Sequence, residues 1–334
     1  MTNRERMAAV LSGRMPDDRL PAVEWATWWD QTIGRWIEQG LPPECAGIRQ
    51  CFAYFGLDDI VQIWIDHRAP GLPAPEAHGQ GIVRNEEDYE RVRPYLFSED
   101  RMEGYLEQFR SHCAAHARGD FSLWYTLEGF FWFPRTLLGI EEHLYAFYDQ
   151  PELMHRINRD QAEYCMRFLE RLYEIDTPEF MTFAEDMSYN HGPMLSKEGF
   201  DAFLLPYYQQ LIPFIRAHGT RVLVDTDGNV EPLIPWLLEA GIEGVLPLER
   251  QAGVDVCRIR EQYPEFILIG GYDKTIMHLG EEAMRSEFER IMPAMRAGRF
   301  VPSVDHQTPP DVTLEQYRIY VRLLKEYAAK AVGR

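Results

Sequence analysis

Residues 221–229, RVLVDTDGN, show a pattern that recurs along the chain: an aliphatic run stops abruptly at carboxylates, here two of them spaced i, i+2. Val222, Leu223 and Val224 predict a buried strand, Gly228 a turn, and Asn229 the cap of the helix NVEPLIPWLLEAG. Because side chains alternate along a strand, Asp225 and Asp227 point to one side if the extended backbone persists to Asp227. Residues 20–23 predict a short strand ending at Glu24, 121–128 one ending near Glu128, and 180–184 one ending at Glu185 and Asp186. EGVLPLER, FILIGGYDK and RFVPSVDH place Glu249, then Asp273 with Lys274, then Asp305 with His306, at three further strand ends. Between the strands the apolar spacing turns helical, through PELMHRINRDQAEYCMRFLERLYEI, SKEGFDAFLLPYYQQLIPFIRAHG and the closing LEQYRIYVRLLKEYAAKAV.

Strands that alternate with helical crossovers run parallel. Seven candidate strands carry the pattern and an eighth is expected near residue 60 or 82. The predicted fold is therefore α/β, a closed (β/α)8 TIM barrel formed by a single domain over residues 1–334. One stretch departs from the rhythm. DIVQIWIDHR and GIVRNEEDY, around the proline-rich GLPAPEAHGQ, read as an antiparallel hairpin, an excursion over residues 59–89. Gly270 and Gly271 lack the GxGxxG spacing and no GxSxG elbow occurs, which disfavours a dinucleotide cofactor and a hydrolase nucleophile.

Composition narrows the class. No run approaches the roughly 18 apolar residues of a membrane span. The opening MTNRERMAAVLSG predicts an amphipathic helix with Thr2 and Glu5 as its capping box rather than a signal peptide, so the expected location is the cytoplasm. The cysteines at 45, 51, 113, 165 and 257 form no CxxC pair and are expected as reduced thiols. A net charge of −19 repels nucleic acid and anionic membrane, so neither is an expected partner; a homodimer is compatible with the sequence.

In a barrel the carboxyl ends of the strands converge. Glu24, Glu128, Glu185, Asp186, Asp225, Asp227, Glu249, Asp273 and Asp305 would then crowd one rim with Lys274 and His306. So many like charges repel unless something neutralises them, and a divalent metal held by Asp, Glu and His, zinc being one such ion, would do so. The competing account is a set of helix caps and ion pairs with Lys274, Arg250 and Arg135. Trp25, Trp28 and Trp29 follow the first strand and fit either core or pocket wall.

At NRERMAAVLSGRMPDDRLP, EDMSYNHGPMLSKEGFDAFLLPYYQQLI, GGYDKTIMHLG and VPSVDHQTPPDVTLEQYRIYVRLL the chain resembles the uroporphyrinogen decarboxylase superfamily over nearly its whole length. The resemblance implies a barrel of that type and separates two chemistries. True decarboxylases carry an arginine-rich segment after the first strand, where this chain reads EWATWWDQT. The other branch, corrinoid-linked methyltransferases, holds zinc with a His-x-Cys pair and a later Cys. Asp225, Thr226 and Asp227 stand at the first position and residues 304–306 near the second, so both sulfur ligands are missing.

The resemblance implies a metal-dependent methyltransferase that passes a methyl group between a small O- or N-methylated substrate and a corrinoid protein. Asp225, Asp227, Glu249 and His306 are its expected metal ligands, with Asp305 behind them or as a fifth donor. Glu185 and Asp186, with Asp273 and Lys274, would be catalytic. Glu24, Trp25, Trp28, Glu128 and Trp132 would contact substrate. A metal-free lyase, in which Asp186 and Asp225 move protons and Lys274 holds a leaving carboxylate, is one alternative. A non-catalytic tetrapyrrole or corrinoid binder is another.

Overall fold

The computed structural model describes residues 1–333. Its strands, in chain order, are β1 (Ile60–Ile65), β2 (Ser122–Glu128), β3 (Phe180–Ala184), β4 (Ser188–Tyr189), β5 (Gly192–Pro193), β6 (Arg221–Asp225), β7 (Gly244–Leu246), β8 (Ile267–Tyr272) and β9 (Phe300–Val304). Seven of them form one curled parallel sheet in the order β1-β2-β3-β6-β7-β8-β9, with helices crossing between neighbours; β4 and β5 make a small antiparallel pair just after β3. The architecture is the (β/α) barrel type that the alternation of strands and helices predicts.

The eighth stave is not a laddered strand. Residues 20–24 are buried and belong to no strand, and they are tied to one sheet edge by Asp58 N–H donating to the Ala22 carbonyl at 2.8 Å. On the other edge Ser303 Oγ, on β9, donates to Glu24 Oε1 at 2.9 Å. The segment thus spans the gap between the β1 side and β9 with few backbone bonds of its own.

The predicted hairpin over 59–89 is not formed. β1 pairs parallel with β2, from Ile60 beside Ser122 to Ile65 beside Leu127, and so belongs to the barrel wall. Ile82 and Val83 N–H both donate to the Leu137 carbonyl, at 2.7 and 3.0 Å, and Gly81 packs so closely on Leu138 that a Cβ would lie 2.1 Å from its carbonyl carbon. A helix, Glu86–Val92, capped by the Asn85 side chain on Asp88 N–H, follows. The physical reason is burial: Ile63 and Ile65 are buried beneath the helix Glu99–Arg118, which a solvent-side hairpin could not provide.

Which side chains face the lumen follows from register. Tyr125 packs its ring on Phe109 and Phe168, in the helix layer, so Tyr125 and its partner Ile63 point outward. The alternate positions point inward. One inward row holds Trp64, Thr126, Thr182, Leu223 and Gly244; the next, toward the strand ends, holds Glu128, Ala184, Asp225 and Leu246.

Candidate active site

The strand ends bring together Asp186, Asp225, Asp227, Glu249 and His306. β6 ends at Asp225. The loop behind it is fixed by Glu249 Oε2, which accepts Gly228 N–H at 2.8 Å, and by Ser188 and Thr226, whose hydroxyls lie 3.0 Å apart. Gly228 has φ +80° and no room for a Cβ, which would fall 2.5 Å from the Tyr189 carbonyl carbon, so only glycine makes this turn against β4. His306 Nε2 stands 3.9 Å from Asp227 Oδ2, and the Trp25 indole meets the His306 ring edge-on at 6.3 Å. Asp186 itself has φ +42°, a strained conformation for a residue with a Cβ.

Burial and mutual repulsion set the protonation of this cluster. Burial first, then the Asp227 and Asp186 carboxylates, push Asp225 well above the carboxylate range. Asp227 is pushed up to about 7 by burial and by Asp186 and Glu249, against the opposing charge of Lys274. Asp186 is raised by burial, with Arg135 opposing. His306 is lowered by burial and by Lys274, so its imidazole is neutral at pH 7. The mouth therefore sets raised carboxyls, with Asp227 titrating at about 7, beside an imidazole lowered from its ordinary value, a set that can donate protons.

Other rim residues have structural partners. Glu185 is buried and accepts backbone N–H groups from Phe130, Phe131 and Trp132 at 2.8, 2.7 and 3.0 Å, as well as the Tyr208 hydroxyl. It holds the start of the helix Trp132–Leu138, and Gly129 lies so near it that a Cβ would fall 2.0 Å from its carboxyl carbon. Asp273 caps Lys274–Leu279 through Thr275 N–H at 2.9 Å. Asp305, wholly buried, accepts Arg250 N–H at 3.1 Å and both Lys274 N–H and Nζ at 3.3 Å.

Glu24 is 1% exposed, and its oxygens accept Ser303 Oγ and, at 2.8 Å, the Tyr317 hydroxyl of the last helix. Trp28 packs among Trp36, Phe52, Phe55 and Tyr317, in the core. Glu128 pairs with Arg68 at 2.7 Å. Trp25 and Trp132 are the indoles that stay partly open at the rim: Trp25 donates to the Val304 carbonyl at 2.7 Å, and the Arg135 guanidinium lies 5.2 Å over Trp132. Arg135 in turn donates to the Asp186 carbonyl at 3.2 Å.

Of the expected metal ligands, Asp225, Asp227, Glu249 and His306 share the mouth without closing on one point. Among the described residues no three His, Cys, Asp or Glu side chains gather in a metal-holding arrangement. Glu249 is tied to Gly228, Asp305 to Lys274 and Arg250, and His306 meets one carboxylate at ion-pair distance. Two hollows elsewhere, of about 530 Å³ beside Arg216 and Arg221 and about 950 Å³ along residues 73–84, hold none of the clustered residues. Sequence reading missed Trp64 and Gln62, on the inward side of β1, and Arg68, which pairs with Glu128; Arg135, expected as an ion-pair partner of the rim, donates to the Asp186 carbonyl. The polar alternation within IVQIWI was the available signal for the first two.

No match is found among the curated proteins. The fold resembles that of a methyltransferase from Methanosarcina mazei, 16% identical, with TM-score 0.67 over 98% of this chain and 99% of that one. It also resembles a Listeria monocytogenes protein described as a candidate vitamin-B12-independent methionine synthase, 14% identical, with TM-score 0.50 over 96% and 99% of the two chains. At these identities the likeness is one of fold. Residues 78–327 match the family profile described as uroporphyrinogen decarboxylase (URO-D), and by that match the chain belongs to the uroporphyrinogen decarboxylase family.

Proposed function

We propose that this chain is a methyltransferase that removes a methyl group from a small O- or N-methylated compound at the carboxylate-lined mouth. The observation that carries the reading is the group Asp186, Asp225 and Asp227, carboxyls raised by burial and by one another beside neutral His306. When a methyl–oxygen or methyl–nitrogen bond breaks, the electron pair stays on oxygen or nitrogen, and that atom needs a proton. The Asp227 carboxyl, near 7, is matched to donate it at neutral pH. Glu249 and the backbone at Gly228 hold the loop that carries it. Trp25 forms an apolar side of the mouth, next to His306.

The methyl acceptor in this reading is a reduced corrinoid carried by a partner protein, which supplies the nucleophile. The fold shared with a methyltransferase supports methyl transfer, and the corrinoid acceptor is carried over from the family resemblance. No step is assigned to a metal, because the candidate ligands do not converge on one point. The lyase alternative is weakened by Lys274, whose ammonium is paired with Asp305 rather than free to hold a carboxylate.

The test supplies purified protein with free reduced cobalamin and a panel of methyl ethers and methylamines, and follows methylcobalamin formation by its absorbance. Methylation with at least one donor, lost in Asp227→Asn, is expected. A panel on which the wild type transfers no methyl group between pH 6 and 7 would sink the proposal.

A further inference from the structure

The helix Ile140–Asp149 buries His143, Ala146 and Phe147 and turns two tyrosines to solvent. Tyr148 is 79% exposed, the highest value for a large apolar side chain among the described residues, and Tyr145, one turn away, is 61% exposed. Between this helix and the start of the helix Lys197–Phe203 lies an open groove of about 310 Å³, walled by Leu144, Phe147 and Tyr148 on one side and by Met194, Leu195 and Phe203 on the other. Apolar residues exposed singly are ordinary, but exposed rings that border an apolar groove mark a contact surface. The rim of the groove is acidic. Glu141, Glu142 and Asp149 are exposed on the tyrosine-bearing helix, and Glu198 lines the groove from the other side. The cation beside Glu198, Lys197, is already held by Asp201 and, at 2.9 Å, by Glu239.

We propose that this groove docks a protein partner through a basic amphipathic helix, whose apolar side chains enter between Phe147 and Leu195 and whose flanking lysines or arginines meet Glu141, Asp149 and Glu198. Charge chooses the occupant. A second copy of this chain would bring the same acidic rim against itself in a two-fold contact, and each copy carries a net charge of −19. An anionic membrane surface is repelled for the same reason. A helix with one apolar stripe and basic flanks satisfies both the groove and its rim.

The position of the groove ties docking to the mouth. Met194 N–H donates to the Met187 carbonyl at 2.9 Å, Met187 N–H to Thr226 Oγ1 at 3.0 Å, and Asn229 N–H to the Tyr189 carbonyl at 2.9 Å. One wall of the groove and the loop that carries Asp225 and Asp227 are therefore a single hydrogen-bonded unit, and a partner seated here stands beside the strand ends. The surface does not depend on which reaction the mouth performs.

The probe is a fluorescein-labelled peptide of leucine and lysine, about four helical turns long, with the leucines on one stripe. The full-length protein is titrated into it and binding is followed by anisotropy. Saturable binding is expected, weakened at least tenfold in Tyr148→Ala and in Glu198→Lys, and weakened as salt rises from about 50 to 300 mM. Both replaced side chains are exposed, so melting temperatures should stay at the wild-type value. A peptide of the same pattern with glutamate in place of lysine is expected not to bind. Absence of saturable binding by the wild type, unchanged affinity in either variant, or equal affinity for the glutamate peptide overturns the proposal. Sedimentation equilibrium decides the other occupant: a wild-type dimer that Tyr148→Ala dissociates would show the groove covered by a second copy, and that result overturns the proposal as well.

Discussion

Asp305 receives Lys274 twice: the backbone N–H and Nζ each lie 3.3 Å from Oδ1, while Arg250 N–H reaches Oδ2 at 3.1 Å. A carboxylate with no solvent contact is thus held between the loops after β7 and β8. Burial pushes it up to about 6, and Lys274 opposes the shift.

Lys274→Met removes the charged partner and leaves Asp305 buried beside two backbone donors. Breaking a buried pair on one side costs about 3–5 kcal/mol. Urea unfolding of the single variant should show a loss of that order. Lys274→Met combined with Asp305→Leu should recover much of it, since no uncompensated charge remains. Equal stability of the wild type and the single variant would show that the pair holds nothing together.

Asp227 governs the pH dependence of activity in the proposed reaction. Its carboxyl titrates near 7, raised first by burial. The acid form is present below that value, so turnover should fall as pH rises through about 7. Asp227→Asn should lower turnover by about 10²- to 10⁴-fold and abolish that limb. Stability gives the complementary sign. A carboxyl raised in the folded state binds more protons folded than unfolded between its ordinary value and about 7. Its contribution is therefore lost as pH rises across that window, and the melting temperature of Asp227→Asn should gain on the wild type from pH 5 to 8. A flat difference between the two would remove Asp227 from the acid role.

The barrel was legible in the sequence because aliphatic runs ending in carboxylates force one arrangement of strand and crossover, and β2, β3, β6, β8 and β9 lie where those runs lie. The clustering of Asp225 and Asp227 was legible for the same reason. β1 was legible as a strand near residue 60 but not as a parallel stave of the wall, because its alternation of Gln62 and Trp64 with Ile63 and Ile65 looks like a half-solvated hairpin. Roles of single carboxylates were hidden too. Glu185, Glu24 and Asp273 stand at strand ends as Asp227 does, but their partners, three amides of residues 130–132, Tyr317 and Thr275, lie on other segments or depend on turn geometry.

Chelation separates the proton-donating reading from the metal-centred one. Glu249 and Asp305 are engaged with backbone amides and Lys274, and among the described residues no three candidate ligands converge. Protein dialysed against EDTA is accordingly expected to keep its activity, and added zinc should shift its melting temperature little. One zinc per chain by elemental analysis, with activity lost on removal and regained on return, would establish a metal centre and require Asp227, Glu249 and His306 to close around it.

Membership of the uroporphyrinogen decarboxylase family raises the question of whether this chain acts on that porphyrinogen. A tetrapyrrole bearing many carboxylates needs cations in its pocket, and paired guanidinium groups are the strong way to supply them. Here the cations near the mouth are already engaged. Lys274 holds Asp305, Arg68 holds Asp66 and Glu128, and Arg135 lies on Trp132 and donates to the Asp186 carbonyl. Facing them are Asp186, Asp225, Asp227 and Glu249, and as pH rises each of the raised carboxyls gains negative charge. The pocket therefore repels polyanions more strongly at pH 8 than at pH 6. No decarboxylation of uroporphyrinogen is expected at neutral pH in an anaerobic assay, and no tight binding in a fluorescence titration. Coproporphyrinogen formed at an enzymatic rate would mean that Arg68 or Arg135 leaves its partner to meet the substrate, and the carboxyl cluster would then need another role.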